Sequence, residues 1–127
     1  MIIGVGIDFV EVDRMRGLLE RKGARALERL FTEAERAYAA KHPEPARQLA
    51  ARAAAKEAAF KALSGNDLAR GIGWRELEVL SRSGAAPILL LHGRAQRRAD
   101  ELAVVTLHLS LTHTHTMAAA YVIAECE

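Results

Sequence analysis

Hydrophobic and polar positions change their period along this chain, and each change marks an element. The first eight residues, Met1-Ile-Ile-Gly-Val-Gly-Ile-Asp8, are apolar and β-branched with two glycines, which predicts a short buried strand ending at Asp8. From Asp13, a residue suited to cap a helix N-terminus, Met15, Leu18 and Leu19 recur at helical spacing towards Gly23, and Leu27, Leu30 and Phe31 extend the pattern. Thr32 followed by Glu35 is a capping-box pair that starts a further helix over 33–41, broken by Pro43 and Pro45. The span 46–64 is alanine-rich, free of glycine and proline, and stops at Ser64-Gly65-Asn66, with Gly65 expected at C′. Gly71 and Gly73 mark a loop, and the period then falls to two. Leu77 and Val79, with Trp74 and Leu80 beside them, predict one strand and Ile88 to Leu91 a second, joined by a turn around Ser83-Gly84. A short basic helix is expected over 93–102. Val105, Leu107, Leu109 and Leu111 then alternate with Thr106, His108, Ser110 and Thr112, and a mostly buried strand over 117–123 follows. The predicted order is strand, three helical segments, two strands, helix, two strands. The last two strands are close enough in sequence to pair as an antiparallel hairpin, so the expected class is α+β, not a doubly wound fold.

Composition narrows the setting. The 127 residues are expected to form one domain, 1–127, with half of them apolar and about a quarter charged, as in soluble globular proteins. The longest apolar runs, such as Pro87-Ile-Leu-Leu-Leu91, are too short to span a bilayer, and the first residues lack the basic start of a signal peptide. A single cysteine, Cys126, offers no internal disulfide; the expectation is a cytoplasmic protein without a membrane partner. The net charge of +2 is mild, but arginine is concentrated between Arg14 and Arg52, and only 5% of residues are aromatic. That scarcity of stacking side chains argues against a nucleic-acid partner.

The long alanine-rich helix carries the first candidate chemistry. It is small and apolar on nearly every side, so it should pack on more than one face, and Glu57 lies near the face of Leu49, Ala53, Phe60 and Ser64. A half-buried carboxylate needs a cation or hydrogen-bond donors. Lys61, four residues on, could supply an ordinary helical ion pair. Asp8, at the end of an apolar strand, could be a turn cap, or could join Glu57 in holding one magnesium ion, which takes one or two protein carboxylates and leaves positions for phosphate oxygens. Arg52, Lys56 and Lys61 would then meet phosphates. On the strand near the C-terminus, alternation places His113 and His115 on one side, with His108 as another contributor. No further zinc ligand is evident, and His113 is the better candidate for a hydrogen-bond donor or general base. Finally Arg14, Leu18, Arg21 and Arg25 follow i, i+4, i+7 and i+11, a stripe that suits either a solvated face or an acidic helical partner, provided the helix passes Gly23.

Three segments together resemble a known family. Gly6-Ile7-Asp8 with Arg14 six residues on, Arg52-Ala-Ala-Ala-Lys56-Glu57-Ala-Ala-Phe60-Lys61-Ala-Leu-Ser-Gly65, and Ser110-Leu-Thr112-His113-Thr114 occur in that order, with Pro87 between the last two. The set resembles the signatures of the holo-acyl-carrier-protein synthases of the 4′-phosphopantetheinyl transferase family, across nearly the whole chain. The resemblance implies an α+β, 4′-phosphopantetheinyl transferase-like fold, with an antiparallel sheet packed against helices, that assembles as a homotrimer with active sites between subunits. It implies transfer of 4′-phosphopantetheine from coenzyme A to a serine of apo-acyl carrier protein, in support of fatty acid biosynthesis. Asp8 and Glu57 would bind Mg2+, and Lys61 would contact the coenzyme A pyrophosphate or assist proton transfer. Arg52, Lys56, Gly65, Pro87, Ser110, Thr112 and His113 would line the coenzyme A site, some from the adjacent chain, and Arg14 would face the carrier protein. Ala53 stands where the family commonly has phenylalanine, a packing change away from the expected ligands. Two other functions stay open on the residues alone: a different metal-dependent nucleotide or pyrophosphate enzyme, and a non-catalytic module that binds acidic proteins through the arginine stripe.

Overall fold

A computed structural model describes residues 1–82 and 84–127. The chain runs β1 (Ile2–Glu11), α1 (Val12–Lys22), α2 (Ala24–Leu30), α3 (Glu33–Ala40), α4 (Pro45–Ala62), α5 (Asp67–Arg70), a 3₁₀ turn (Trp74–Glu76), β2 (Leu77–Leu80), β3 (Ile88–Leu91), α6 (Gly93–Glu101), β4 (Val104–His113) and β5 (Met117–Cys126). The class is α+β, as the periodicity implied. β1, β5 and β4 form one antiparallel sheet in that spatial order, and β2 pairs with β3 in a separate antiparallel ladder.

The long helix α4 organises the rest. Pro45 sits in its first turn, where the missing N–H costs nothing, and its alanines are buried round most of the circumference. One side meets the inner face of the β1–β5–β4 sheet and the other meets α1 and α3. Small side chains allow close approach. A Cβ placed on Gly4 would lie 2.0 Å from the Ala62 carbonyl oxygen, and one on Gly6 would lie 1.8 Å from that of Ala58. The two glycines of the first strand therefore let helix backbone sit directly on strand backbone. Phe31, Leu63, Leu77, Val12 and Val122 fill the remaining interior.

Several boundaries differ from the sequence expectation for identifiable reasons. β1 continues three residues beyond Asp8 because its backbone stays paired with β5 as far as Met117. Glu11, not Asp13, therefore occupies the N-cap of α1, and Asp13 falls in the first turn, paired with Arg16. The helix does not pass Gly23, whose φ of 54° ends α1 so that α2 starts afresh. Five α-helices thus precede β2 and β3, and Asn66 caps the unanticipated α5 through its side chain. The capping box of α3 is present as expected, with Thr32 accepting from Glu35 N–H and Glu35 from Thr32 N–H. α4 ends at Ala62 with Leu63 as its C-cap, so Gly65 lies beyond C′, and the Arg98 guanidinium donates to the Leu63 and Ser64 carbonyls. Trp74 belongs to the 3₁₀ turn and not to a strand. An irregularity between Val104 and Thr106 turns Val105 outward and lets Val104 take its place beside Leu107, Leu109 and Leu111. Of the turn expected at Ser83-Gly84, Ser83 lies outside the described residues, and Gly84 adopts a φ of 72°. Among the described residues no helix is long and apolar enough to cross a membrane.

Candidate active site

The inner face of β1 reads Gly4, Gly6, Asp8, Val10, because alternate residues share a face. Once the glycines have seated the strand on α4, the next inward side chain, Asp8, projects at the helix turn that carries Glu57 and Lys61. Lys61 Nζ donates to Asp8 Oδ1 and to the Ile7 carbonyl, both at 3.0 Å. The lysine that could have served Glu57 as a helical ion-pair partner is thus drawn across to the strand.

This leaves the two carboxylates facing one another. They lie within hydrogen-bonding reach, and Asp8 Oδ2 is buried with no donor. Burial pushes the Glu57 carboxyl up to about 7, and the neighbouring Asp8 carboxylate adds to the rise. Burial alone would raise Asp8 too, but its hydrogen bonds with Glu57 and Lys61 outweigh that and hold it below the ordinary value. Without a cation, Glu57 thus favours its protonated form and Asp8 its carboxylate up to about pH 7.

The donor set suits a hard divalent ion. An orphaned buried oxygen on Asp8 and a desolvated Glu57 are what a cation would neutralise. No cluster of three or more histidine, cysteine, aspartate or glutamate side chains exists among the described residues. Two carboxylates with room for exogenous oxygens match magnesium better than a structural zinc site, which would need four protein ligands.

A groove of about 990 Å³ opens beside Glu57, and Arg14, Leu18, Arg21 and Arg25 all line it. The stripe survives the break at Gly23 because α2 resumes on the same side. Arg14 is close enough to Glu57 to oppose the rise in its pKa. Sequence reasoning missed Lys22, Arg29 and Arg75, which line the same groove. Arg29 continues the helical spacing from Arg25 and was within reach of the pattern; Arg75 arrives from the distant 3₁₀ turn and was not. A second, smaller cavity of about 260 Å³ also touches Glu57, between Phe60, Ile72, Trp74 and Leu77.

Other expected site residues lie elsewhere. Arg52 and Lys56 were expected to meet phosphates, but they are 2% and 1% exposed and belong to the interior. Arg52 stacks under the Tyr38 ring, 4.1 Å from its centroid, and donates to the Gln48 carbonyl and Ser81 Oγ. Lys56 Nζ spends its donors on Glu35 Oε1 at 2.7 Å and on the carbonyls of Trp74 and Leu77 at 2.9 and 2.6 Å. An ammonium so committed has no N–H left for a ligand. Burial lowers both of their pKa values, and Glu35 opposes the shift.

Ser110 and Thr112 stand opposite Tyr121 and Ala119 of β5, which stand opposite Ile7 and Phe9 of β1, so all six share the outer face of the sheet. Asp8 is on the inner face. His113 falls at the exposed end of β4, while His115 lies in the following turn with Nδ1 3.3 Å from Arg47 Nη2. The two histidines therefore do not share a strand face, and His108 pairs separately with Glu125 at 3.0 Å. Gly65 is beside Arg98 and Pro87 precedes β3; neither lines either of the two cavities described above. The outer sheet face is apolar along its β1 edge: Val5 is 51% and Phe9 60% exposed, with Ile7 and Tyr121 close behind.

Comparison with known proteins decides the family. The 4′-phosphopantetheinyl transferase superfamily matches residues 4–126. This chain belongs to that superfamily. It is 46% identical over 125 residues to the holo-[acyl-carrier-protein] synthase of Solidesulfovibrio magneticus, covering 98% of this chain and 99% of that one. Its fold is similar to the crystal structure of holo-[acyl-carrier-protein] synthase from Neisseria meningitidis, with a TM-score of 0.86 at 25% identity over 98% of this chain and 99% of that one. It is similar also to the Bacillus anthracis holo-(acyl-carrier-protein) synthase solved in complex with CoA (3′,5′-ADP), with a TM-score of 0.79 at 30% identity over 100% and 99% of the two chains. The chain is accordingly a transferase of the holo-acyl-carrier-protein synthase type.

Proposed function

We propose that this chain moves 4′-phosphopantetheine from coenzyme A to a serine of apo-acyl carrier protein, with Asp8 and Glu57 holding a magnesium ion. The observation that carries the metal assignment is the Asp8–Glu57 pair, two carboxylates brought face to face beside Lys61 with one buried oxygen left without a donor. The relatives named holo-[acyl-carrier-protein] synthase and the relative solved with CoA supply the substrates.

In the reaction the serine Oγ attacks the phosphorus that bears the pantetheine arm. The P–O bond to the second phosphate breaks, and 3′,5′-ADP leaves with that oxygen. When bound, magnesium supplies charge that neutralises the pyrophosphate. Lys61, tethered to Asp8 and Ile7, presents its ammonium to the same phosphates and orients them. Phosphoryl transfer depends chiefly on position and charge, so no covalent enzyme intermediate is needed. The basic groove of Arg14, Arg21 and Arg25 around Leu18 receives the acidic carrier protein and brings its serine to Glu57.

The same reading gives the outer sheet face a role. A contiguous apolar strip of Val5, Ile7, Phe9 and Tyr121 beside a polar row on β4 suits a contact between copies of the chain. In a homotrimer, Gly65, Pro87, Ser110, Thr112 and His113 of one subunit complete the coenzyme A site of its neighbour, and His113 accepts the serine proton. The holo-carrier product serves cytoplasmic fatty acid synthesis. Asp8→Ala and Glu57→Ala should each abolish transfer while the melting transition stays cooperative; near-wild-type turnover in either variant would remove the metal assignment.

A further inference from the structure

The buried pair Lys56–Glu35 is an expensive feature that the proposed chemistry does not use. Both side chains are sealed from solvent, and such a pair persists only where every donor and acceptor is met. Here they are. Glu35 Oε1 takes Lys56 Nζ at 2.7 Å and the Thr32 N–H at 2.9 Å, and Oε2 takes the Val79 N–H at 2.8 Å. Lys56 Nζ donates in addition to the carbonyls of Trp74 and Leu77. One ammonium therefore ties α3, α4 and both ends of the Trp74–Leu77 segment to a single point.

The placement of that point matters. Lys56 is adjacent in sequence to Glu57, about 100° away on the same helical turn. Trp74, whose carbonyl Lys56 holds, lines the large basic groove and the smaller apolar cavity, and Glu57 lines both as well. The 3₁₀ turn is short, and the neighbouring Gly71 and Gly73 lend its approach little stiffness. We infer that Lys56 is a positioning residue, which through the Trp74 and Leu77 carbonyls fixes the wall of the cavities at a set distance from Glu57 and so governs how substrates seat there. The metal pair is positioned separately: Asp8 is held by β1 and Lys61, and Glu57 by the packing of α4 on β1. This inference rests on the function proposed above.

The chain has one tryptophan, so Trp74 fluorescence reports on the wall directly. The double variant Lys56→Met/Glu35→Gln removes both charges and keeps the side-chain lengths; Glu35→Gln alone is the milder companion. Three quantities are read well below the melting temperature: Trp74 emission and its quenching by acrylamide, KM and kcat for coenzyme A and carrier protein, and Mn2+ affinity by electron paramagnetic resonance. We expect a red-shifted, more readily quenched emission and a KM for coenzyme A raised on the order of tenfold, with kcat and Mn2+ affinity little changed. A folded double variant with wild-type emission and wild-type KM overturns the inference, because simple destabilisation would lower the melting temperature and leave both untouched. Loss of Mn2+ affinity in step with KM overturns it too, by making the metal site the cause. If neither variant folds, the pair is a folding element and the positioning role is rejected. Failure of the wild-type chain to modify carrier protein sinks the proposed function instead, and the emission result still decides whether Lys56 fixes the wall.

Discussion

Adding one methyl group to Gly6 should separate the two carboxylates without altering either. The new Cβ would lie 1.8 Å from the Ala58 carbonyl oxygen and 2.7 Å from its carbon, both backbone atoms that cannot rotate away. Restoring ordinary contact requires α4 to retreat from β1 by roughly 1.5 Å, with the 1–3 kcal/mol cost typical of overpacking. Glu57 adjoins Ala58 on the helix, and Asp8 is the next inward residue of the strand, so the retreat opens the pair itself. Magnesium holds its oxygens at ~2.0–2.1 Å and tolerates little departure, and a misplacement of about 1 Å near reacting groups costs on the order of 100-fold. The assay is carrier modification as a function of Mg2+ concentration, alongside thermal melts. Gly6→Ala should raise half-saturating Mg2+ by at least about tenfold and lower kcat/KM by about 100-fold. Leu49→Ala is the control: it is 2% exposed in the core cluster on the α1–α3 side and should cost 2–5 kcal/mol while leaving the Mg2+ requirement unchanged. A folded Gly6→Ala protein with wild-type Mg2+ dependence would refute the claim that backbone contact sets the carboxylate separation.

Three further outcomes are expected. Arg14→Glu should raise KM for the carrier protein far more than KM for coenzyme A, and equal losses in steady-state assays would remove the docking role of the groove. Glu57 is held protonated up to about 7 in the folded chain against an ordinary 4.5, so metal-free stability should fall as pH rises through that interval, because the unfolded chain ionises first. For a sealed group the shift is worth up to about 3 kcal/mol, and solvent access at the half-exposed Glu57 reduces it to about 1 kcal/mol. Glu57→Gln should thus be more stable than wild type by that amount at pH 8 in chelator and no different at pH 4; denaturant melts showing no gain at pH 8 would contradict the pairing. Ile7→Glu, on the outer sheet face, should yield monomers by sedimentation and abolish transfer, whereas an active monomer would exclude shared sites.

Much of the fold was legible because local and tertiary preferences agree. The alanine run of α4, the Thr32–Glu35 capping box and the alternation of Leu107, Leu109 and Leu111 each name an element whose packing reinforces it. Gly4 and Gly6 read only as part of an apolar strand, and their close approach to the α4 backbone shows in the structure alone. Asp8 and Glu57 stood out as candidate ligands because three ordered segments resembled a family's signatures; on the residues alone a turn cap and a helix ion pair sufficed. Arg52 and Lys56 were misplaced because charged side chains are almost never fully buried unless paired. Nothing in the spacing ties Lys56 to Glu35, which had already been given a local task in the capping box. The role of Trp74 was hidden for the same reason: it read as the edge of a strand, while its position beside Glu57 is set by a lysine 18 residues earlier.

The central claim meets its most direct test in the intact mass of an apo-acyl carrier protein after incubation with coenzyme A, Mg2+ and this protein. The account predicts a gain of one phosphopantetheine, matched by release of 3′,5′-ADP and absent when Asp8→Ala replaces the wild type. An unchanged mass with a carrier that a known synthase modifies would contradict it.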